Sequence, residues 1–214
     1  DGVGEWETAW FGIGEGKIIK KLGSVEWPNS LGEFYASFTQ FLGYVPNFDE
    51  YKVMGMAPYG EKKYFDVIEN MISNQKNFFE INEKYFDFPV GRLPLYNQKE
   101  FTKIFGSPSE YSKNPSERDI NLSASFQAKL SECFLKYVKN AVNITGIKDV
   151  CLTGGVSMNC SAVGDLVKSG IVRNVFLNFA SADDGCAIGA AFLESENFSD
   201  KFTRKEIKNA FLGN

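Results

Sequence analysis

An α/β domain that closes on a parallel layer is the fold class this sequence predicts, and two observations carry the expectation. After Gly146 the order strand, glycine turn, helix, strand, turn, helix is the way a parallel pair with its crossover is written in sequence. Ahead of it, Leu122, Phe126, Leu130, Cys133, Phe134, Tyr137, Val138 and Ala141 form one apolar stripe on a helix predicted over residues 119–142. The 214 residues suit one large domain or two small lobes and suffice to bury a core.

Element by element, residues 7–27 give two extended runs around Gly14-Glu15-Gly16, a β-hairpin. Asn29-Ser30 then precede Leu31, Phe34, Phe38, Phe41 and Leu42 at helical spacing, and Gly43 stops the run. Residues 47–60 hold Pro58 and several glycines, which predicts a structured loop, with a short helix over 61–73. Residues 78–97 suggest a small hairpin or excursion whose apolar side is Phe79, Ile81, Tyr85 and Phe88. Residues 94–115, rich in Ser, Pro and Asn, read as the loosest region and the crossing between lobes. The closing part predicts a buried strand at Val150, Cys151 and Leu152, a helix over 157–169, a strand over 172–179 and a small-residue helix over 184–195. The division expected is a first lobe over 1–98, a second over 99–196 and the start of a linker over 197–214.

Composition narrows the function. A net charge of −4 and a pI near 5.1 leave no basic stripe for nucleic acid. No apolar run approaches the ~20 residues a membrane helix needs. Cys133, Cys151, Cys160 and Cys186 stand singly in apolar segments without CxxC spacing, so they read as small core residues in a reducing, cytoplasmic setting. The sequence contains no His, which removes Ser-His and Cys-His nucleophiles and any His-based metal cage supplied by this chain alone. There is no initiator Met, and an opening of Asp1-Gly2-Val3-Gly4-Glu5 reads as a piece of a longer chain.

Three segments could carry chemistry. Thr153-Gly154-Gly155-Val156-Ser157-Met158-Asn159 lies between a strand and a helix, where paired glycines let backbone N–H groups approach an anion. The same pair also serves as a tight turn in any α/β protein. Ser181-Ala182-Asp183-Asp184-Gly185 follows the second strand. Ser181 and Asp184 have capping-box spacing, which leaves Asp183 for the crevice beyond the strand ends or for a second helix-end charge. Asp49 to Gly60 (DEYKVMGMAPYG) mixes charge, aromatics and glycines, as loops that shape ligand pockets do, and as solvated loops also do.

Taken in order, DGVGE, SLGEFYASFTQFLGY, EYKVMGMAPYG, GGVSMN and SADDGCAIGAA resemble the O-carbamoyltransferases of the nodulation and antibiotic-tailoring type. The resemblance runs from Asp1 to about Glu194. It implies an α/β ATP-binding fold of the actin, sugar-kinase and heat-shock-ATPase (ribonuclease H-like) kind, present in part. It also implies a carbamoyl-adenylate made from carbamoyl phosphate and ATP, then attacked by a hydroxyl on a small acceptor, with a divalent metal, commonly iron, at the phosphate. Asp1 matches the aspartate of DGxGE and Asp183 that of GDAG, both metal ligands there. Gly154, Gly155 and Asn159 match GGxxxN, which grips the nucleotide, with Val156 inside that turn. Lys52 and Gly55 fall in the loop that closes near adenosine. A homodimer is the assembly to test.

The sequence departs from the pattern in places. The family's two metal-binding histidines lie upstream of DGxGE, and its C-terminal transfer domain is missing. Asn121 stands where an Asp often opens the DxAxSxQ helix, with Ser125 and Gln127 kept. A sugar or acyl kinase of the same superfamily, and a nucleotide-binding module without chemistry, are the alternative functions.

Overall fold

The computed structural model describes residues 1–75, 78–112 and 114–198. The linker expected over 197–214 lies outside the described residues from 199 onward. Strands β1 (Glu7–Glu15) and β2 (Ile18–Glu26) form the antiparallel hairpin the sequence predicts, turning through Gly16 at φ 58°. Helix α1 (Leu31–Phe41) starts at Ser30, whose hydroxyl accepts from the Glu33 N–H at 3.0 Å. Its Phe34, Phe38 and Phe41 are fully buried.

The first correction falls at 47–60. A helix, α2 (Glu50–Met56), and a 3-10 turn (Ala57–Tyr59) stand where a loop is expected. Pro58 lies past the last α-helical turn and so breaks nothing. Burial of Val53 and Met56 offsets the roughly 1 kcal/mol that Gly55 costs inside a helix. Gly60 then runs so close to α5 (Glu117–Thr145) that a Cβ there would sit 2.3 Å from the Ile120 carbonyl oxygen.

Between them, α3 (Phe65–Ile68) is a single turn, shorter than the predicted helix. Strands β3 (Ile72–Gln75) and β4 (Phe78–Ile81) pair antiparallel. Phe79, Ile81 and Phe88 are buried as expected, and Tyr85 packs half-buried against them. The supposedly loose 94–115 contains helix α4 (Gln98–Phe105), the second correction. Asn97 caps it, accepting from the Glu100 N–H at 3.2 Å, and Phe101 and Phe105 bury one turn apart. A two-turn helix is too short to declare itself by periodicity.

Helix α5 begins at a capping box between Ser116 and Asp119 and ends at left-handed Gly146. The apolar stripe is buried or part-buried as predicted, and polar residues on both of its flanks are buried too, Asn121, Ser125 and Lys129 on one side and Ser123 and Gln127 on the other. Ser123 and Ser125 return their hydroxyl hydrogens to carbonyls one turn back. Lys129 pairs with Glu69 at 3.5 Å and Glu132 at 3.4 Å.

The chain closes with β5 (Asp149–Leu152), a 3-10 turn (Gly155–Met158), α6 (Cys160–Lys168), β6 (Asn174–Leu177) and α7 (Gly185–Phe198). β5 and β6 pair in parallel, Asp149 opposite Asn174 through Leu152 opposite Leu177, as the sequence predicts. The strands are not buried on both faces. Val150, Leu152 and Val175 pack on the core, whereas Cys151, Phe176 and Leu177 are exposed and have no cover among the described residues. On α7 the small residues Ala187, Gly189, Ala190 and Ala191 are exposed as well. Of the four cysteines only Cys133 is a core residue; Cys151, Cys160 and Cys186 are exposed, and all four are free thiols. No helix among the described residues is long and apolar enough to cross a membrane.

Candidate functional site

Residues far apart in sequence meet at the turn after β5. Gly154 adopts φ 94° and ψ 156°, a conformation reserved for glycine, and its N–H donates to the Ser181 carbonyl at 2.6 Å. The Thr153 hydroxyl donates to the same carbonyl at 3.1 Å, so the turn after β5 and the loop after β6 are tied together. Ser157 closes the turn, with its N–H at 3.0 Å and its hydroxyl at 2.7 Å from the Gly154 carbonyl.

Asp1 lies on this turn. Its Oδ1 would be 3.2 Å from a Cβ at Gly155, and its own Cβ 3.6 Å from one at Gly154. Three bonds hold the Asp1 backbone there. The carbonyl accepts from the Ser30 hydroxyl at 2.8 Å and the Gly32 N–H at 3.3 Å, and the amino nitrogen donates to the Thr8 carbonyl at 3.1 Å. The structure thus brings Asp1, Gly154 and Gly155 into one place, with Val156 part-buried behind them. Asp183 follows Ser181, the residue bonded to the turn, and is exposed. The Ser181 hydroxyl donates to the Asn178 carbonyl, and helix α7 opens with the Gly185 and Cys186 N–H groups on the carbonyls of Ala182 and Asp183.

Asn159 ends the turn. Its Oδ1 accepts from the Ala162 N–H at 3.0 Å, capping α6, and its side-chain amide exchanges two 3.0 Å hydrogen bonds with that of Gln127 on α5. The Tyr35 hydroxyl donates to Gln127 Oε1 at 2.8 Å, and burial pushes its pKa far up, so it stays protonated. Sequence reasoning placed Gln127 in a motif but gave it no role. Its signal was a Gln on the buried side of a helix.

Helix α2 reaches the same neighbourhood: the Cys160 thiol lies 3.7 Å from the Met54 sulfur, next to Gly55, around whose Cα there is open space. Lys52 is engaged elsewhere, paired with Asp49 at 2.8 Å and lying 5.7 Å and 5.6 Å from the Tyr51 and Tyr111 ring centres. The Asp49 hydrogen bond raises the Lys52 pKa. Glu33 stands near Asp1 and Glu50 near Glu33, both half-buried. Burial, then repulsion from Glu50, raises the Glu33 pKa, and burial raises that of Glu50.

A metal ion does not fit these residues by themselves. No group of three His, Cys, Asp or Glu side chains is close enough to hold one among the described residues, and Asp1 is one carboxylate at the turn. At the turn the Gly154, Ser157 and Asn159 N–H groups are taken by the Ser181, Gly154 and Val156 carbonyls, and Asp1 lies over Gly154 and Gly155.

The family model described as "Carbamoyltransferase N-terminus" matches residues 1–192. An uncharacterized protein of Synechocystis sp. is 37% identical over the whole of this chain, which spans 38% of that protein. Nodulation protein NolO of Bradyrhizobium diazoefficiens is 32% identical, again over the whole chain and 37% of its own length. Nodulation protein NolNO of Sinorhizobium fredii is also 32% identical, with 30% of its length covered. The chain therefore spans well under half of these relatives.

Proposed function

Because the chain belongs to the carbamoyltransferase N-terminus family, we propose that it is the ATP-binding part of an O-carbamoyltransferase, with the fold of the actin, sugar-kinase and heat-shock-ATPase superfamily. Carbamoyl phosphate is the carbamoyl donor, ATP the activating substrate, and a hydroxyl on a small molecule the acceptor. The observation that carries the reading is the Asp1 carboxylate against Gly154 and Gly155. Two motifs from opposite ends of the sequence form one surface there, where a nucleotide's phosphates meet backbone N–H groups.

After carbamoyl phosphate loses its phosphate to water, a carbamate oxygen bonds the α-phosphorus of ATP and pyrophosphate leaves. The acceptor oxygen then bonds the carbonyl carbon, AMP leaves, and the hydroxyl proton passes to solvent. AMP is a far better leaving group than the carbamate's own oxygen, which is the reason for spending ATP. The chain's residues bind and orient: the Gly154-Gly155-Val156 backbone lies along the phosphates, and Asn159 contacts the nucleotide at the end of the turn.

The test is product analysis on the intact natural protein given ATP, carbamoyl phosphate and hydroxyl acceptors. Pyrophosphate and AMP in equal amounts, dependent on carbamoyl phosphate, support adenylation. ADP in their place overturns it in favour of a kinase.

A further inference from the structure

Gly32 stands in the first turn of α1, where Ala is the better helix former by intrinsic propensity. The reason for glycine there is Asp1. A Cβ at Gly32 would lie 2.6 Å from the Asp1 carbonyl carbon, the Asp1 carbonyl oxygen and the Gly2 nitrogen. It would strike the Asp1–Gly2 peptide itself, not a side chain that could turn aside. The Gly32 N–H, one of the first-turn donors without an intrahelical acceptor, instead donates to the Asp1 carbonyl at 3.3 Å. Ser30 completes the contact. Its hydroxyl accepts from the Glu33 N–H at 3.0 Å, which caps the helix, and donates its single hydrogen to the same Asp1 carbonyl at 2.8 Å. Asp or Gly would cap α1 nearly as well, and neither side chain has a hydrogen to give to Asp1.

The helix that carries this anchor is itself fixed. Ser30 is fully buried, and Phe34, Phe38 and Phe41 hold α1 in the aromatic core. Further along the same helix Tyr35 donates to Gln127 Oε1, and Gln127 is bonded to Asn159 at the far end of the glycine turn. α1 therefore reaches the site at both ends. At one end it holds the Asp1 backbone, whose carboxylate lies against Gly154 and Gly155; at the other it meets the start of α6 through Gln127.

We infer that Ser30 and Gly32 are positioning residues, which hold the Asp1 backbone on the start of α1 and thereby set the distance from the Asp1 carboxylate to the Gly154–Gly155 turn. The inference rests on the functional reading above, in which that carboxylate and that turn form one surface. It adds the two residues that keep them in register. A methyl group at position 32 forces the Asp1–Gly2 peptide back by on the order of an ångström, and a misplacement of about 1 Å lowers turnover by up to about a hundredfold. Loss of the Ser30 hydroxyl only frees the peptide to move, so its effect is smaller.

Ser30→Gly, Ser30→Thr and Gly32→Ala are made in the intact natural protein, each alone and together with Asp1→Asn, which removes the charge and keeps the side chain's shape. The melting temperature is measured for each, and kcat for carbamoyl-phosphate-dependent pyrophosphate release is compared below every melting transition. The expected result is a kcat lowered up to about a hundredfold in Gly32→Ala and about tenfold in Ser30→Gly. Ser30→Thr keeps both bonds and retains wild-type turnover. In the Asp1→Asn background neither Ser30→Gly nor Gly32→Ala lowers kcat further, because both act through the carboxylate that is already gone.

Wild-type turnover in a folded Gly32→Ala or Ser30→Gly protein overturns the inference, as does wild-type turnover in Asp1→Asn, where the positioned group is absent. Equal losses in Ser30→Gly and Ser30→Thr overturn it by placing the effect in helix packing. A further loss on top of Asp1→Asn overturns it by placing the effect away from the carboxylate. If Gly32→Ala fails to fold, or Asp1→Asn releases no measurable pyrophosphate, the comparison of Ser30→Gly with Ser30→Thr decides alone. A wild type that releases pyrophosphate beside unaffected variants defeats this inference alone, whereas a wild type that releases none defeats the functional reading with it.

Discussion

Alanine at Gly155 and alanine at Gly154 should have opposite effects, and the Asp1 carboxylate is the reason. At Gly155 a methyl group would lie 3.2 Å from Asp1 Oδ1, so the carboxylate must give way by a few tenths of an ångström. The Asp1 backbone is held by Ser30, Gly32 and Thr8, which leaves side-chain rotation to absorb the shift. An off-rotamer side chain costs about 0.5–1.5 kcal/mol, and a partly exposed carboxylate belongs at the low end. At Gly154 the nearest Asp1 atom would be 3.6 Å away, an ordinary contact, but φ 94° with ψ 156° is a conformation that costs a residue with a Cβ about 1–3 kcal/mol. Gly154→Ala is therefore the less stable variant. Gly155→Ala is the one that moves a group at the site, where a displacement of this sort lowers turnover by up to about a hundredfold. Urea unfolding gives the first ranking and carbamoyl-phosphate-dependent pyrophosphate release by the intact protein gives the second. Activity that falls in step with stability across the two variants, or a fully active Gly155→Ala, would refute the assignment of the turn and Asp1 to a single site.

Three further outcomes follow from the core and its charges. Phe38, fully buried among Phe34, Phe101, Phe105 and Phe126 with ring centres 4.7–5.8 Å away, should cost about 3–5 kcal/mol when replaced by Ala, read as a lowered urea midpoint. Tyr137→Phe should be neutral or raise the melting temperature, because its buried hydroxyl has no hydrogen-bond partner among the described residues and removing it relieves a desolvation penalty. Glu33→Gln should stabilise the protein at neutral pH. The folded-state pKa of Glu33 is raised by burial and then by Glu50, so the native state binds the proton more tightly and wild-type stability falls as pH rises through the raised value. The advantage of Gln should vanish below the ordinary glutamate range; an advantage that persists at low pH would place its origin outside this titration.

Sequence periodicity was sufficient where one side of an element faces the core for several turns. Helices α1 and α5 announce themselves in this way, whereas the first hairpin shows through its glycine turn and the pair β5–β6 through the order of its elements. It failed where an element is short or where its second face is also covered. α4 spans only two turns and is defined by Asn97 and the Phe101–Phe105 pair. α2 was hidden by Pro58 and Gly55, residues that discourage a helix without forbidding one at those positions. The site divides similarly. The glycine turn and Asp1 were visible as motifs, yet nothing in their spacing says that residues so distant touch. Lys52 lies away from that turn and is paired with Asp49. The exposure of Cys151 and Phe176 could not be read from composition, because an apolar strand has the same sequence whether or not its outer face is covered.

The buried polar residues on the two flanks of α5 account for how the separated segments come together. Asn121 Oδ1 accepts from the Glu61 N–H at 2.8 Å and Ser125 Oγ from the Tyr64 N–H at 3.0 Å, which anchors the chain leaving the EYKVMGMAPYG segment. Two residues beyond Ser125, Gln127 holds Asn159 of the glycine turn and Tyr35 of α1. Each of these groups would be an uncompensated buried dipole without its partner, so the helix that anchors them is also the element whose displacement would strand the largest number of them. That helix is long, closed at its start by a capping box and at its end by a left-handed glycine, and it buries an apolar stripe against the core. A rigid element of this kind can hold three otherwise independent segments in fixed register, which a loop could not. Asn121 in place of the more usual Asp fits the same logic, since a neutral amide oxygen serves the Glu61 N–H without placing a buried charge beside Glu117. One helix thus holds the segment after α2, the glycine turn and α1 in fixed register through its buried polar residues.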